Sequence, residues 1–236
     1  MKCIPPSIQT LPVFPIYQAA AVFRRPGAIV PAVERLFVRG DLSFGIAQPR
    51  LGIVGSRSAS VESRRWAHDL AAEAAANAVV VVSGGARGID SESHRGAMNG
   101  GGITWWVSGT SVDRVYPAEH KGLLRELLSK NGAMLSEIPP GGRSGKHFFR
   151  LRNRLIAGLS DILVVVAAGA KSGTLSTIDY ALEQGVPVFV PPEGEVPETE
   201  GVALMRRQRK IRPLSRENLF TELSKRGRNC TARERS

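Results

Sequence analysis

Cysteine is nearly missing from this chain. Among 236 residues only Cys3 and Cys230 occur, one near each end. Neither has a Cys or His neighbour at metal-ligand spacing, which excludes a disulfide scaffold and a zinc site as organising devices. Long apolar runs are also missing. None approaches the roughly 18 residues needed to span a bilayer. Pro5, Pro6, Pro12 and Pro15 interrupt the apolar N-terminal stretch, so no signal-peptide core is read there. The expectation is a reduced, cytoplasmic protein with no membrane partner, no metal and no cofactor. Two nucleotide fingerprints are absent as well: no G-x-G-x-x-G follows a strand, and no Gly-Lys is followed by Ser or Thr.

Acidic residues vanish from one window. Between Glu137 and Asp161 there is none, while Arg143, Lys146, Arg150, Arg152 and Arg154 sit there with Phe148 and Phe149 among them. Phosphates attract cations, and unstacked bases attract flat aromatic faces. Single-stranded nucleic acid offers both. A solvated loop with an apolar plug has the same composition, so the window alone leaves both readings open.

The net charge of +11 is unevenly spread. From Gly201 onward eleven Lys/Arg face three Glu, leaving only +3 for the first 200 residues. A basic tail on a near-neutral body suggests a nucleic-acid footprint, though a solubilising tail has the same charge.

Periodicity organises the rest. Residues 1–35 read as a Pro-rich arm, 36–192 as a folded core and 193–236 as a basic extension. Leu36 to Asp41 reads as a short strand and turn. Apolar runs at 51–55, 79–83, 103–107, 133–136, 162–166 and 188–190 read as buried strands. Helices are expected at 60–76, 89–98, 119–130, 152–159 and 174–184, the last stopped by Gly185. This alternation predicts an α/β, Rossmann-like, doubly wound and mostly parallel sheet with helices on both faces.

Ligands of such sheets bind outside the carboxyl ends of the strands. Three loops fall there. Gly55-Ser56-Arg57-Ser58 allows a tight turn, and Arg57 can fork onto a phosphate, although an ordinary βα turn fits the same residues. Ser83 to Asp90 carries Gly84, Gly85 and Gly88, whose amides can approach an anion, together with Arg87 and a helix start. His94, four residues after Asp90, could pair with it across one helix face. In the third loop Lys171 offers a point charge, and Ser172, Gly173 and Thr174 can either cap a helix or receive a phosphate. With the 139–154 segment these loops converge on one sheet edge. Tyr116 reads as a packing residue near that edge.

Taken in order, several of these stretches resemble the DNA-processing protein A (DprA/Smf) family. They are Val54-Gly55-Ser56-Arg57, Ser83 to Asp90, His94-Arg95-Gly96-Ala97, Asp113-Arg114-Val115-Tyr116-Pro117, Leu135-Ser136-Glu137, Pro139-Pro140-Gly141, Arg152 to Ser160, Ser172-Gly173-Thr174-Leu175 and Glu183-Gln184-Gly185. The resemblance runs from about Leu36 to Pro192. It implies an extended Rossmann fold that binds single-stranded DNA without enzymatic turnover, protects incoming strands in natural transformation, helps load a RecA-type recombinase and forms a homodimer. It also implies DNA contacts at Ser56, Arg57, Lys146, Phe149, Arg152 and Asn153. With the loop residues Gly84, Arg87, Gly88, Arg154, Lys171 and Ser172, these make the candidate nucleic-acid-binding set. Departures from the family pattern are Arg150 after Phe149, where the proline of Phe-Pro is usual, and Trp105-Trp106 where small aliphatics are usual. Two other readings fit the same fold: a nucleotide-binding sensor, and a nucleotide phosphoribohydrolase-like enzyme using Glu183. Lys171-Ser172-Gly173-Thr174 lacks the Pro-Gly-Gly of that enzyme loop.

Overall fold

The computed structural model describes residues 16–18, 22–23, 33, 35–170, 172–208, 211–214 and 218–223. Among the described residues nine strands form one sheet in the order β1-β2-β6-β5-β4-β3-β7-β8-β9. They are β1 (Ile16–Gln18), β2 (Arg35–Gly40), β3 (Arg50–Val54), β4 (Val80–Ser83), β5 (Thr104–Val107), β6 (Ala133–Ser136), β7 (Ile162–Val165), β8 (Val188–Val190) and β9 (Arg212–Pro213). From β6 to β9 every pairing is parallel, whereas β1 and β2 add an antiparallel edge. The helices are α1 (Val61–Ala76), α2 (Ile89–Asn99), α3 (Lys121–Ser129), α4 (Lys146–Leu151), α5 (Asn153–Leu159), α6 (Gly173–Glu183) and α7 (Glu200–Arg207).

The strands are short and apolar because both faces are covered. Alternation divides their side chains. Val80, Val82, Leu163 and Val165 pack with Leu155, Ile156 and Ile178 from α5 and α6. Val79, Val81, Ile162 and Val164 pack with Trp66, Leu70 and Ala74 of α1 and with Ile89 and Ala97 of α2. The tryptophan pair fits this division. Trp105 joins the first layer, with the buried Arg50 guanidinium 4.5 Å over its ring. Trp106 joins a third cluster with Met98, Leu124, Leu127 and Met134.

The expected α/β architecture holds, with four additions. The helix expected at 152–159 is preceded by a separate one, α4, that begins at Lys146, so the cation-aromatic segment is itself helical. The helix expected at 119–130 opens with a 3-10 turn at Ala118–His120. Past Pro192 the core continues: α7 buries Val202 and Met205, β9 pairs with β8, and Leu219 and Leu223 reach the second layer. Likewise β1 adds part of the Pro-rich stretch to the sheet. The remainder of that stretch, and residues 224–236 of the basic end, lie outside the described residues.

Candidate nucleic-acid interface

Strand order reverses between β3 and β7, the position at which open α/β sheets form their binding crevice. The Gly55-Ser56-Arg57 loop leaves β3 there, and the 83–88 loop leaves β4 beside it. The two loops touch. Gly88 has φ 75°, and a Cβ on it would collide with the Ser56 carbonyl oxygen. Ser56 itself shapes the turn, its Oγ accepting the Ser58 N–H at 3.1 Å.

Arg152 forms the floor. It is only 6 % exposed. Its Nη1 donates to the Val107 carbonyl at 2.6 Å and its Nε to the Phe149 carbonyl at 3.4 Å, while Nη2 lies 3.9 Å from the Asp90 carboxylate. Gly84 is required here, because a Cβ would overlap the Arg152 guanidinium. Asp90 in turn accepts the Ala86 N–H at 3.3 Å, tying the charge pair to the glycine loop. Burial pushes the Asp90 carboxyl up, against the pull of Arg152. Burial likewise lowers Arg152 to about 10, partly offset by Asp90. Both shifts follow from removing a loosely spaced pair from water.

Its two neighbours also face inward. Asn153 Nδ2 donates to the Gly173 carbonyl at 3.0 Å and to Ser176 Oγ at 2.9 Å, pinning α5 to the start of α6. Arg154 is buried against Glu137, with Nη2 donating to Oε1 at 2.9 Å. Arg152, Asn153 and Arg154 therefore brace the loops from within the protein.

The outer wall is different. Arg57 and Arg87 are exposed, as is Lys146 at the first residue of α4. Arg87 forks onto Glu119, Nε to Oε1 and Nη2 to Oε2, the second bond measuring 2.9 Å. That pair holds the Glu119 carboxyl below its usual range. Phe149 is half-buried, and Tyr116 lies on it with ring centroids 5.0 Å apart and planes tilted by 54°. Together Arg57, Gly84, Ala86, Arg87, Tyr116, Pro117, Phe149 and Arg152 line one cleft.

Thus five of the candidate residues, Arg57, Gly84, Arg87, Phe149 and Arg152, come together. Ser56 and Gly88 adjoin them. Lys146, Asn153, Arg154 and Ser172 do not line the cleft, and Lys171 lies outside the described residues. The Ser172 hydroxyl is buried without a hydrogen-bond partner at the start of α6. Tyr116, expected only as a packing residue near the edge, stands in the wall of the cleft, and Glu119 is a neighbour that sequence reasoning did not name. The exposed aromatic in Tyr116-Pro117 was the available signal for the first. Nothing near Glu119 in sequence announces its partner.

His94 is no partner of Asp90. It is fully buried and stacked on Trp106, with ring centroids 5.5 Å apart. Glu183 is exposed at the far end of α6, about 15 Å from Gly173 at 1.5 Å per helical residue. No group of His, Cys, Asp and Glu able to hold a metal occurs among the described residues. No helix among them is long and apolar enough to cross a membrane.

A mostly parallel sheet with helices on both faces defines a Rossmann-like α/β protein. A family model described as DNA recombination-mediator protein A matches residues 27–224, and the chain belongs to that family. Protein Smf of Escherichia coli is 38 % identical over 157 residues, covering 66 % of this chain and 42 % of the relative. DNA processing protein DprA of Bacillus subtilis is 35 % identical over 197 residues, covering 83 % of this chain and 65 % of the relative. The chain spans about half the length of the curated relatives it matches. Among solved structures, DNA processing protein A from Helicobacter pylori, described for its single-stranded DNA binding mode, superposes with a TM-score of 0.75 at 29 % identity. That match covers 85 % of this chain and 93 % of the other. DprA from Streptococcus pneumoniae gives the same TM-score of 0.75 and 29 % identity, covering 89 % and 74 %.

Proposed function

We propose that this chain binds single-stranded DNA at the carboxyl edge of its sheet and acts as a recombination mediator without chemical turnover. The observation that carries the reading is the cleft itself. It joins two exposed guanidinium groups, Arg57 and Arg87, to the Phe149 ring. Cations grip a backbone, and an aromatic face takes an unpaired base, which a duplex does not present. Family membership and the single-strand binding of the Helicobacter pylori relative support it. Lys146 and Arg150 extend the cationic track along α4. Arg152, Asn153 and Arg154 hold the loops in place.

In this reading the protein works in the cytoplasm as a homodimer. It shields incoming single strands during DNA uptake and hands them to a RecA-type recombinase. The distance of Glu183 from the Ser172 loop disfavours hydrolysis of a bound nucleotide. The test is fluorescence anisotropy of a labelled single strand and its duplex across a salt series. Single-strand preference should persist when Lys225, Arg226 and Arg228 are changed to glutamine. Phe149→Ala should weaken single-strand binding with little change in salt slope. Equal affinity for both forms, lost with the three tail charges, would refute the reading. Truncation at Gly201 would not serve as a control, because α7 and β9 belong to the core.

A further inference from the structure

The geometry points to Tyr116 as a second base-stacking residue, so that the cleft engages two successive unpaired bases rather than one. This rests on the single-strand reading above. Tyr116 is 52 % exposed, one of four large apolar or aromatic side chains that face solvent among the described residues. It is also the one that meets the cleft, between Arg57, Arg87 and Phe149. An aromatic left open beside two cations, in a chain whose three tryptophans are all buried, is placed where a base can reach it.

The spacing fixes how. Ring centroids 5.0 Å apart leave no room for a base between Tyr116 and Phe149. Bases therefore meet the outward faces of the two rings. Those faces are tilted by 54°, so two bases lying on them cannot remain stacked on each other. The strand must turn between the two nucleotides. Arg57 and Arg87, on the loops that flank the rings, are positioned for the phosphates of that turn. A duplex, whose neighbouring bases stay parallel, cannot follow it. Specificity for single strands then comes from the angle between two rings as much as from either ring alone.

The experiment compares oligothymidylate with an abasic oligomer of equal phosphate count, using the full chain. Tyr116→Ala should weaken oligothymidylate binding roughly five- to hundredfold, with salt slope and abasic binding unchanged. Tyr116→Phe should bind like the native chain. A Tyr116→Trp variant adds an exposed indole to a protein whose Trp66, Trp105 and Trp106 are 6 %, 0 % and 1 % exposed. Its iodide-quenchable fluorescence should be shielded by oligothymidylate and left open by the abasic oligomer. The inference is overturned if Tyr116→Ala binds normally while Phe149→Ala is weakened. Equal loss of both oligomers in Tyr116→Ala, which marks a damaged loop, overturns it too. If the native chain does not distinguish the two oligomers, the single-strand reading fails with it.

Discussion

His94 should make this fold acid-sensitive well above the pH at which carboxylates titrate. Its Nδ1 lies 2.7 Å from Thr104 Oγ1, whose own hydrogen is donated to the Val81 carbonyl at 2.8 Å. Thr104 can then only accept, so His94 Nδ1 carries the hydrogen and Nε2 is the bare nitrogen. Nε2 is buried without a partner, and the ring stacks on Trp106. A proton arriving at Nε2 would be a charge with nothing to meet it. Burial, reinforced by the positive charge of Arg152, lowers His94 to about 3. The unfolded chain keeps the ordinary value near 6.5. A depressed folded pKa contributes stability that is complete above 6.5 and is lost as pH falls towards 3. The slope is about 1.4 kcal/mol per pH unit, or roughly 2 kcal/mol between pH 7 and pH 5. Urea titrations at several pH values measure it directly. His94→Gln should flatten the slope between pH 6.5 and 5 whatever its effect on absolute stability. A native chain equally stable at pH 7 and 5, or a variant with the native slope, would refute the assignment of a neutral, sealed imidazole.

Three further expectations concern the cleft and the cationic track beside it. Lys146→Ala should lower the salt dependence of single-strand binding by about 0.7 in log–log slope, the value for one phosphate contact, and an unchanged slope would remove Lys146 from the backbone track. Glu119→Gln should tighten binding, because the carboxylate occupies the same fork of Arg87 that a phosphate would take; weaker binding on anisotropy would show that Glu119 positions Arg87 instead. Arg152→Met should destabilise the fold by about 3–5 kcal/mol, since it strands the buried Asp90, and a thermal unfolding midpoint equal to the native one would contradict the floor assigned to Arg152.

The sheet was legible because its strands announce themselves. Val79 to Val82 and Ile162 to Val166 are runs that only two covered faces accommodate. The edge elements were not. β9 has two residues, one of them a proline, and the apolar stripe of α7 is masked by Arg206 and Arg207. In the site, Arg57, Arg87 and Phe149 were readable as cations and an aromatic at loop positions. The burial of Arg152 and Arg154 was not, because charge is visible in sequence while the partner is not. Asp90 lies 62 positions from Arg152, and Glu137 lies 17 from Arg154. Tyr116 was readable as a packing residue near the edge, but not its contact with Phe149, a pairing across 33 residues.

Arg57, Arg87, Tyr116 and Phe149 each follow a different strand, and the floor under them hangs on the Val107 carbonyl at the end of β5. The cleft thus has no local precursor. A ribosome-bound chain that has not yet emerged past Arg152 possesses the cations but not the surface. A copy whose central strands have come apart loses both walls together. Under the proposed function, capacity to hold a strand at this cleft is in that sense a certificate of completed folding.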